Sequence, residues 1–193
     1  MVKRAEAAKA NNFEEVEGNE AVSLERFLEQ YTDREDGWKY EWNAGQIEKT
    51  QTMNQEQTAI LILLTRLFTK TKAFAEGGGL VSETDVYTSE RQLRKPDISF
   101  FSGTQAKKMR TENQMPAWVA EVISETDNAN KIGLKNQEYF KAGVQVVWQI
   151  YPALQQVHVY TAVDKVMICK GNTVCSGAPV LPDFEVTAAE IFD

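Results

Sequence analysis

"WVAEVIS" (residues 118–124), "ETDNANKIGLKNQEYFKAG" (125–143) and "VQVVWQIYP" (144–152) follow one another, and the reading of this stretch decides the fold. The first and third segments are short runs dominated by apolar residues, as in strands covered on both faces. The middle segment reads as a helix, with Ser124 or Thr126 as N-cap and Gly143 as the stop. One residue breaks the pattern. Glu121 sits in the centre of the first strand, on a face shared with Val119 and Ile123. A lone buried carboxylate costs several kcal/mol unless something compensates it.

The flanking sequence extends the same architecture. "RKPDISFF" (94–101) places a strand after Pro96, a residue suited to a strand's first position. "WKYEWNAGQIEKTQT" (38–52) alternates at its start and turns at "NAG", which predicts an N-terminal hairpin. Trp38, Tyr40 and Trp42 take one face; Lys39 and Glu41 take the other, where Glu41 is expected to be exposed. "AVSLERFLEQYT" (21–32) predicts an amphipathic helix capped by Ser23. "NQEQTAILILLTRLFTK" (54–70) predicts a helix apolar nearly all round and therefore largely buried. "LVSETDVYT" (80–88) is another strand, and "QAKKMRTENQMP" (105–116) reads as a loop. "VQVVWQIYP", "QVHVYTA" and "VMICK" form a C-terminal β-meander, and a short helix closes the chain. Strands before and after a buried helix indicate an α/β domain with a mixed sheet. Residues 1–20 are expected to form a mobile polar tail, leaving one domain over 21–193.

Composition narrows the function classes. The chain has 193 residues, 42% of them hydrophobic and 25% charged, and a formal net charge of −7. These values suit a globular domain and argue against non-specific coating of nucleic acid. The polar N-terminus has no apolar core and "AILILL" is too short to span a bilayer, so a cytoplasmic protein without membrane attachment is expected. Cys169 and Cys175 read as free thiols, with a cross-strand disulfide as the alternative. The single histidine, His158, lies in an alternating strand and disfavours His-based hydrolytic chemistry. One basic belt stands out against the acidic background: Arg91, Arg94, Lys95, Lys107, Lys108 and Arg110. It reads either as a polyanion contact or as a solvated loop.

Two further residues accompany Glu121. Asp97 opens the strand "DISFF", and Lys135 shares a helical stripe with Ile132, Tyr139 and Ala142. Lys131 lies one turn earlier, at the stripe's edge. Two carboxylates on neighbouring strands can hold magnesium, which activates water and neutralises charge on a phosphoryl group. A lysine beside them can position or deprotonate the water, or stabilise the transition state. Structural roles are the alternative: Asp97 paired with Arg94, Glu121 paired with Lys135, and Lys135 extending its ammonium to water. Glu56 aligns with Ile60, Leu63 and Leu67 and is a second-rank candidate, as is Glu41.

"RKPDISFF", "PAWVAEVIS" and "NKIGLKNQEYFKAGVQVVWQIYP" together resemble the Uma-two family of restriction endonucleases, within the PD-(D/E)XK nuclease superfamily. "YEWNAGQIE" and "VLPDFEVTAAEIF" extend the resemblance over about residues 22–193. It implies a restriction-endonuclease-like fold, a mixed central β-sheet flanked by helices. It also implies magnesium-dependent cleavage of double-stranded DNA, with manganese as a substitute and a homodimer supplying two sites. Asp97 and Glu121 match the metal-binding acids. The superfamily lysine is expected two residues after Glu121, where this chain has Ile123; Lys135 takes that role. The belt and Lys131 would contact phosphates. The rival expectation is a catalytically inactive nuclease-fold module that binds nucleic acid or a protein partner.

Overall fold

The computed structural model describes residues 14–15 and 21–193, so the tail expected over residues 1–20 lies outside the described residues apart from Glu14–Glu15. In chain order the elements are β1 (Glu14–Glu15), α1 (Leu24–Tyr31), β2 (Trp38–Asn43), β3 (Gln46–Gln51), α2 (Gln55–Phe68), α3 (Lys72–Ala75), β4 (Gly79–Ser82), β5 (Val86–Ser89), β6 (Gln92–Arg94) and β7 (Ile98–Phe101). Then come α4 (Gly103–Lys108), β8 (Trp118–Val122), α5 (Ala129–Ala142), β9 (Val146–Tyr151), β10 (Gln156–Ala162), β11 (Lys165–Lys170), β12 (Val174–Gly177), β13 (Leu181–Thr187) and α6 (Ala188–Phe192).

A six-stranded mixed sheet, ordered β11-β10-β9-β8-β7-β4, forms the centre. Its one parallel pair is β8 with β9, joined by α5, and the Glu121–Gln149 register lies within it. A crossover helix of this length is what a parallel pair requires. The meander β9-β10-β11 forms as expected, each pair antiparallel. A second sheet, β1-β3-β2-β6-β5, is built on the expected hairpin. Ala44 and Gly45 turn that hairpin at φ of 51° and 96°, as a tight two-residue turn demands.

Alternation on β8 and β9 divides the central sheet. Trp118, Ala120, Val122, Trp148 and Ile150 face the main core with α2, α6 and β13. Trp148 stacks on Phe184 at 5.6 Å, and Trp118 meets Trp148 edge-on at 5.3 Å. Val119 and Val147 face the other way, against Tyr139 of α5. Phe27, Tyr40, Trp42, Ile47 and Leu93 make a separate core between α1 and the second sheet. The polar face of β2 therefore looks away from its own core, toward α5 and the central sheet.

Several local expectations are corrected. Asn128, not Ser124 or Thr126, caps α5, because its Oδ1 accepts the N–H groups of Asn130 and Lys131. Helix α2 is not buried all round: Ile60, Leu64 and Phe68 are covered, while Ile62 is 63% exposed, since only one face meets the sheet. Part of the expected loop after Phe101 is helix α4, nucleated by a capping box of Ser102 and Gln105. The strands β12 and β13 carry no strict alternation and emerge from pairing with each other.

Candidate active site

Asp97 precedes β7 and is 5% exposed. Its Oδ2 accepts the Val122 N–H at 2.8 Å, which ties the start of one strand to the end of its neighbour. Its Oδ1 is 2.5 Å from the ammonium of Lys39. Asp97 thus pairs with Lys39 and not with Arg94. Glu121, on the α5 face of β8, accepts from the Tyr139 hydroxyl at 2.5 Å and forms an ion pair with Lys135 Nζ at 2.9 Å. Lys135 also reaches Glu41 Oε1 at 2.8 Å. Asp97, Glu121 and Lys135 line one cleft, with Lys39 and Glu41 opposite them on β2.

Glu41, expected at the surface, is 2% exposed. Strand alternation marks it as polar-facing, but the polar face of β2 is covered by α5 and β8. Its Oε2 receives Arg94 at 3.1 Å, and its Oε1 also accepts the Lys95 N–H at 2.8 Å. Lys39, on the same face and 7% exposed, was not a candidate from the sequence. Its i+2 relation to Glu41 was the available signal.

The basic belt does not form one surface. Arg94 is 3% exposed and is held by Glu41, Glu48 and Glu138. Lys95 pairs with Asp85 at 3.3 Å. Arg91, Lys107, Lys108 and Arg110 are exposed but lie outside the cleft lining, whereas Lys131 lines it. Glu56 points to solvent from the first turn of α2. Its neighbour Gln57 faces the cleft instead and donates to the Val122 carbonyl at 3.2 Å.

Burial and charge set the protonation states. Desolvation alone would lower the pKa of Lys39, but Asp97, Glu121 and Glu41 outweigh it and hold the ammonium charged. Lys135 behaves likewise: burial opposes its charge, and Glu121 with Glu41 raises its pKa above the ordinary value. Glu41 is pulled down to about 2: burial opposes ionisation, but Lys135, Arg94 and Lys39 prevail. Glu121 is held above the usual carboxylate range, chiefly by burial, with Lys135 opposing and Asp97 adding to the rise. Of the two acids that Lys135 bridges, Glu121 is the less stabilised in its charged form.

The donor set suits a hard divalent cation. Six carboxylates (Glu41, Glu48, Asp97, Glu121, Asp127, Glu138) and four cations (Lys39, Arg94, Lys131, Lys135) line the cleft, leaving negative charge in excess. Asp97, Glu121 and the Val122 carbonyl are oxygen donors around one cleft. Among the described residues no cluster of three or more His, Cys, Asp or Glu side chains forms a cage.

The fold is similar to the crystal structure of a protein from Anabaena variabilis described as "a putative nuclease belonging to DUF820". The TM-score is 0.69 at 18% identity, over 79% of this chain and 89% of that one. The architecture is thus a nuclease-like mixed α/β fold. Residues 24–189 match the Uma2 family, described as "Putative restriction endonuclease", and the chain belongs to that family. No curated protein matches it.

Proposed function

We propose that the protein is a magnesium-dependent endonuclease that hydrolyses phosphodiester bonds in double-stranded DNA, with manganese able to substitute. The observation that carries this reading is the convergence of Lys135 on Glu41 and Glu121, beside Asp97, in one cleft. Asp97, Glu121 and the Val122 carbonyl would hold the ion, which supplies an activated water and neutralises phosphoryl charge. Lys135 is held protonated, so it acts as a donor to charge developing on the phosphoryl oxygens and not as a base. Glu41 and Glu121 orient that ammonium from two sides. Tyr139 restrains Glu121 through its hydroxyl. Lys131 is positioned on the cleft wall to meet a substrate phosphate.

Cutting both strands calls for two sites, hence a homodimer. The edge strand β11 supports one: Val166, Met167 and Ile168 are 45%, 45% and 55% exposed. Antiparallel pairing of two β11 strands about Met167 would bring Asp164 of each copy toward Lys170 of the other. Among the described residues no helix is long and apolar enough to cross a membrane. The buried, unpaired Cys169 and Cys175 suit activity in the reducing cytoplasm.

The test is cleavage of supercoiled plasmid with magnesium by the parent, Asp97→Ala and Lys135→Ala. Loss of cutting in both variants supports the reading; equal cutting by all three overturns it. A second reading, a catalytically silent module that binds nucleic acid or a protein partner, is favoured by one observation. Asp97 and Glu121 are already neutralised by Lys39 and Lys135. Calorimetry with no magnesium or manganese heat, alongside intact partner binding, would select it.

A further inference from the structure

The cleft holding Asp97, Glu121 and Lys135 has a volume of about 120 Å³, room for an ion and several waters. A second cavity of about 600 Å³ adjoins it, within the range of small-molecule sites. The two share a wall that includes Asn136 and Gln149. Gln149 stands beside Glu121 in the parallel register.

The two cavities both carry acids and differ in their cations. Lys39, Arg94, Lys131 and Lys135 line the small one. Among the described residues lining the large one there is no Lys, Arg or His, and Glu125 and Asp127 are present. A phosphate finds no counter-charge among those residues. A neutral, planar, hydrogen-bonding group is accepted, because Tyr151 and Tyr160 contribute aromatic surface.

The shared wall also has unmet hydrogen-bonding capacity. Asn136 is 6% exposed, and its Oδ1 has no partner among the described residues. A buried acceptor left this way is unusual, and a ligand donor that reached it would satisfy it. Gln149 is 4% exposed, and its Oε1 accepts from the Tyr151 hydroxyl at 2.9 Å. Among the described residues the Gln149 NH2 makes no hydrogen bond, so it is available as a donor. An acceptor from Asn136 and a donor from Gln149 together suit the edge of a nucleobase.

We infer that the large cavity is a nucleobase subsite, which takes one unpaired base next to the scissile phosphate and holds it with Asn136, Gln149 and the tyrosines. The inference rests on the nuclease reading and deepens it: a base must leave the duplex stack to enter.

Gly133 provides a way to test this. It lines the cavity from α5, is exposed, and a Cβ added there meets nothing within 4 Å. Gly133→Phe therefore fills the cavity without crowding the core. The probes are a duplex with one bulged adenine and the same duplex with an abasic residue in the bulge, compared by fluorescence anisotropy in calcium. The parent is expected to prefer the adenine duplex by about 10-fold, the scale of one base stacked on an aromatic side chain. Gly133→Phe and Asn136→Leu are expected to bring that ratio close to one, with circular dichroism verifying the fold of each variant. Equal affinity of the parent for both duplexes, or a preference that survives Gly133→Phe, overturns the subsite and leaves the nuclease reading intact. Failure to bind either duplex overturns both.

Discussion

The ammonium of Lys39 lies 2.5 Å from Asp97 Oδ1, and the two side chains are only 6% and 7% exposed. The pair joins the polar face of the N-terminal hairpin to the residue that precedes the core strand β7. In chemical terms Lys39 is a monovalent cation seated on an oxygen that a divalent cation would use.

Replacing Lys39 therefore has two opposed consequences. Lys39→Met leaves Asp97 buried without its counter-charge, and removing one partner of a buried pair costs about 3–5 kcal/mol. Urea denaturation without metal reads that loss. The same variant is expected to bind manganese more tightly than the parent in calorimetry, because a competing positive charge is gone. Weaker manganese binding by Lys39→Met would mean that the lysine assists the site.

Acid stability is governed in part by Glu41. Its pKa falls from an ordinary 4.5 to about 2 on folding. The unfolded chain thus binds the proton more readily, and stability falls with pH in that window. The contribution is complete above pH 4.5 and is lost as pH falls through about 2, with a magnitude of about 3 kcal/mol. Glu41→Gln is expected to be less stable at neutral pH and to show a flatter acid limb. An acid limb identical to the parent's would remove Glu41 from that account.

Lys135 is expected to contribute as a charge and not through the length of its stem. Lys135→Ala should lower cleavage by about 10²-fold or more, the scale of one charge-stabilising group. Lys135→Met keeps an unbranched stem without the charge and should be equally impaired. If Lys135→Met cleaves as well as the parent, the ammonium has no part in the chemistry.

Association along β11 is testable by analytical ultracentrifugation. Met167→Lys sets like charges opposite each other at the centre of the proposed antiparallel pairing and should shift a dimer to monomer. A dimer unaffected by Met167→Lys would have to use another surface.

The comparison of periodicity with tertiary position explains what was legible. Asp97, Glu121 and Lys135 stood out because each is charged where its neighbours are apolar, and local pattern alone exposes such a conflict. Glu121 is the clearest case: a strand buried on both faces offers no water to a carboxylate. Lys39 and Glu41 gave no such signal. They alternate properly with Trp38, Tyr40 and Trp42 and look like the wet face of a hairpin. Glu56 misled in the opposite direction, since a helix's first turn can project past the layer that buries its later turns.

The sequence by itself determined the strands β2, β3 and β7–β11, the helices α1, α2, α5 and α6, the hairpin, the meander and three charged residues out of place, because periodicity records which face of each element meets apolar surface. Only the tertiary structure decided that the polar face of β2 is buried. It also put Lys39 on Asp97, withdrew Arg94 from the surface and opened a second cavity beside the first. Those outcomes depend on which two faces pack together across many residues of chain, and a polar face carries the same alternation whether it meets water or an ion-pair network.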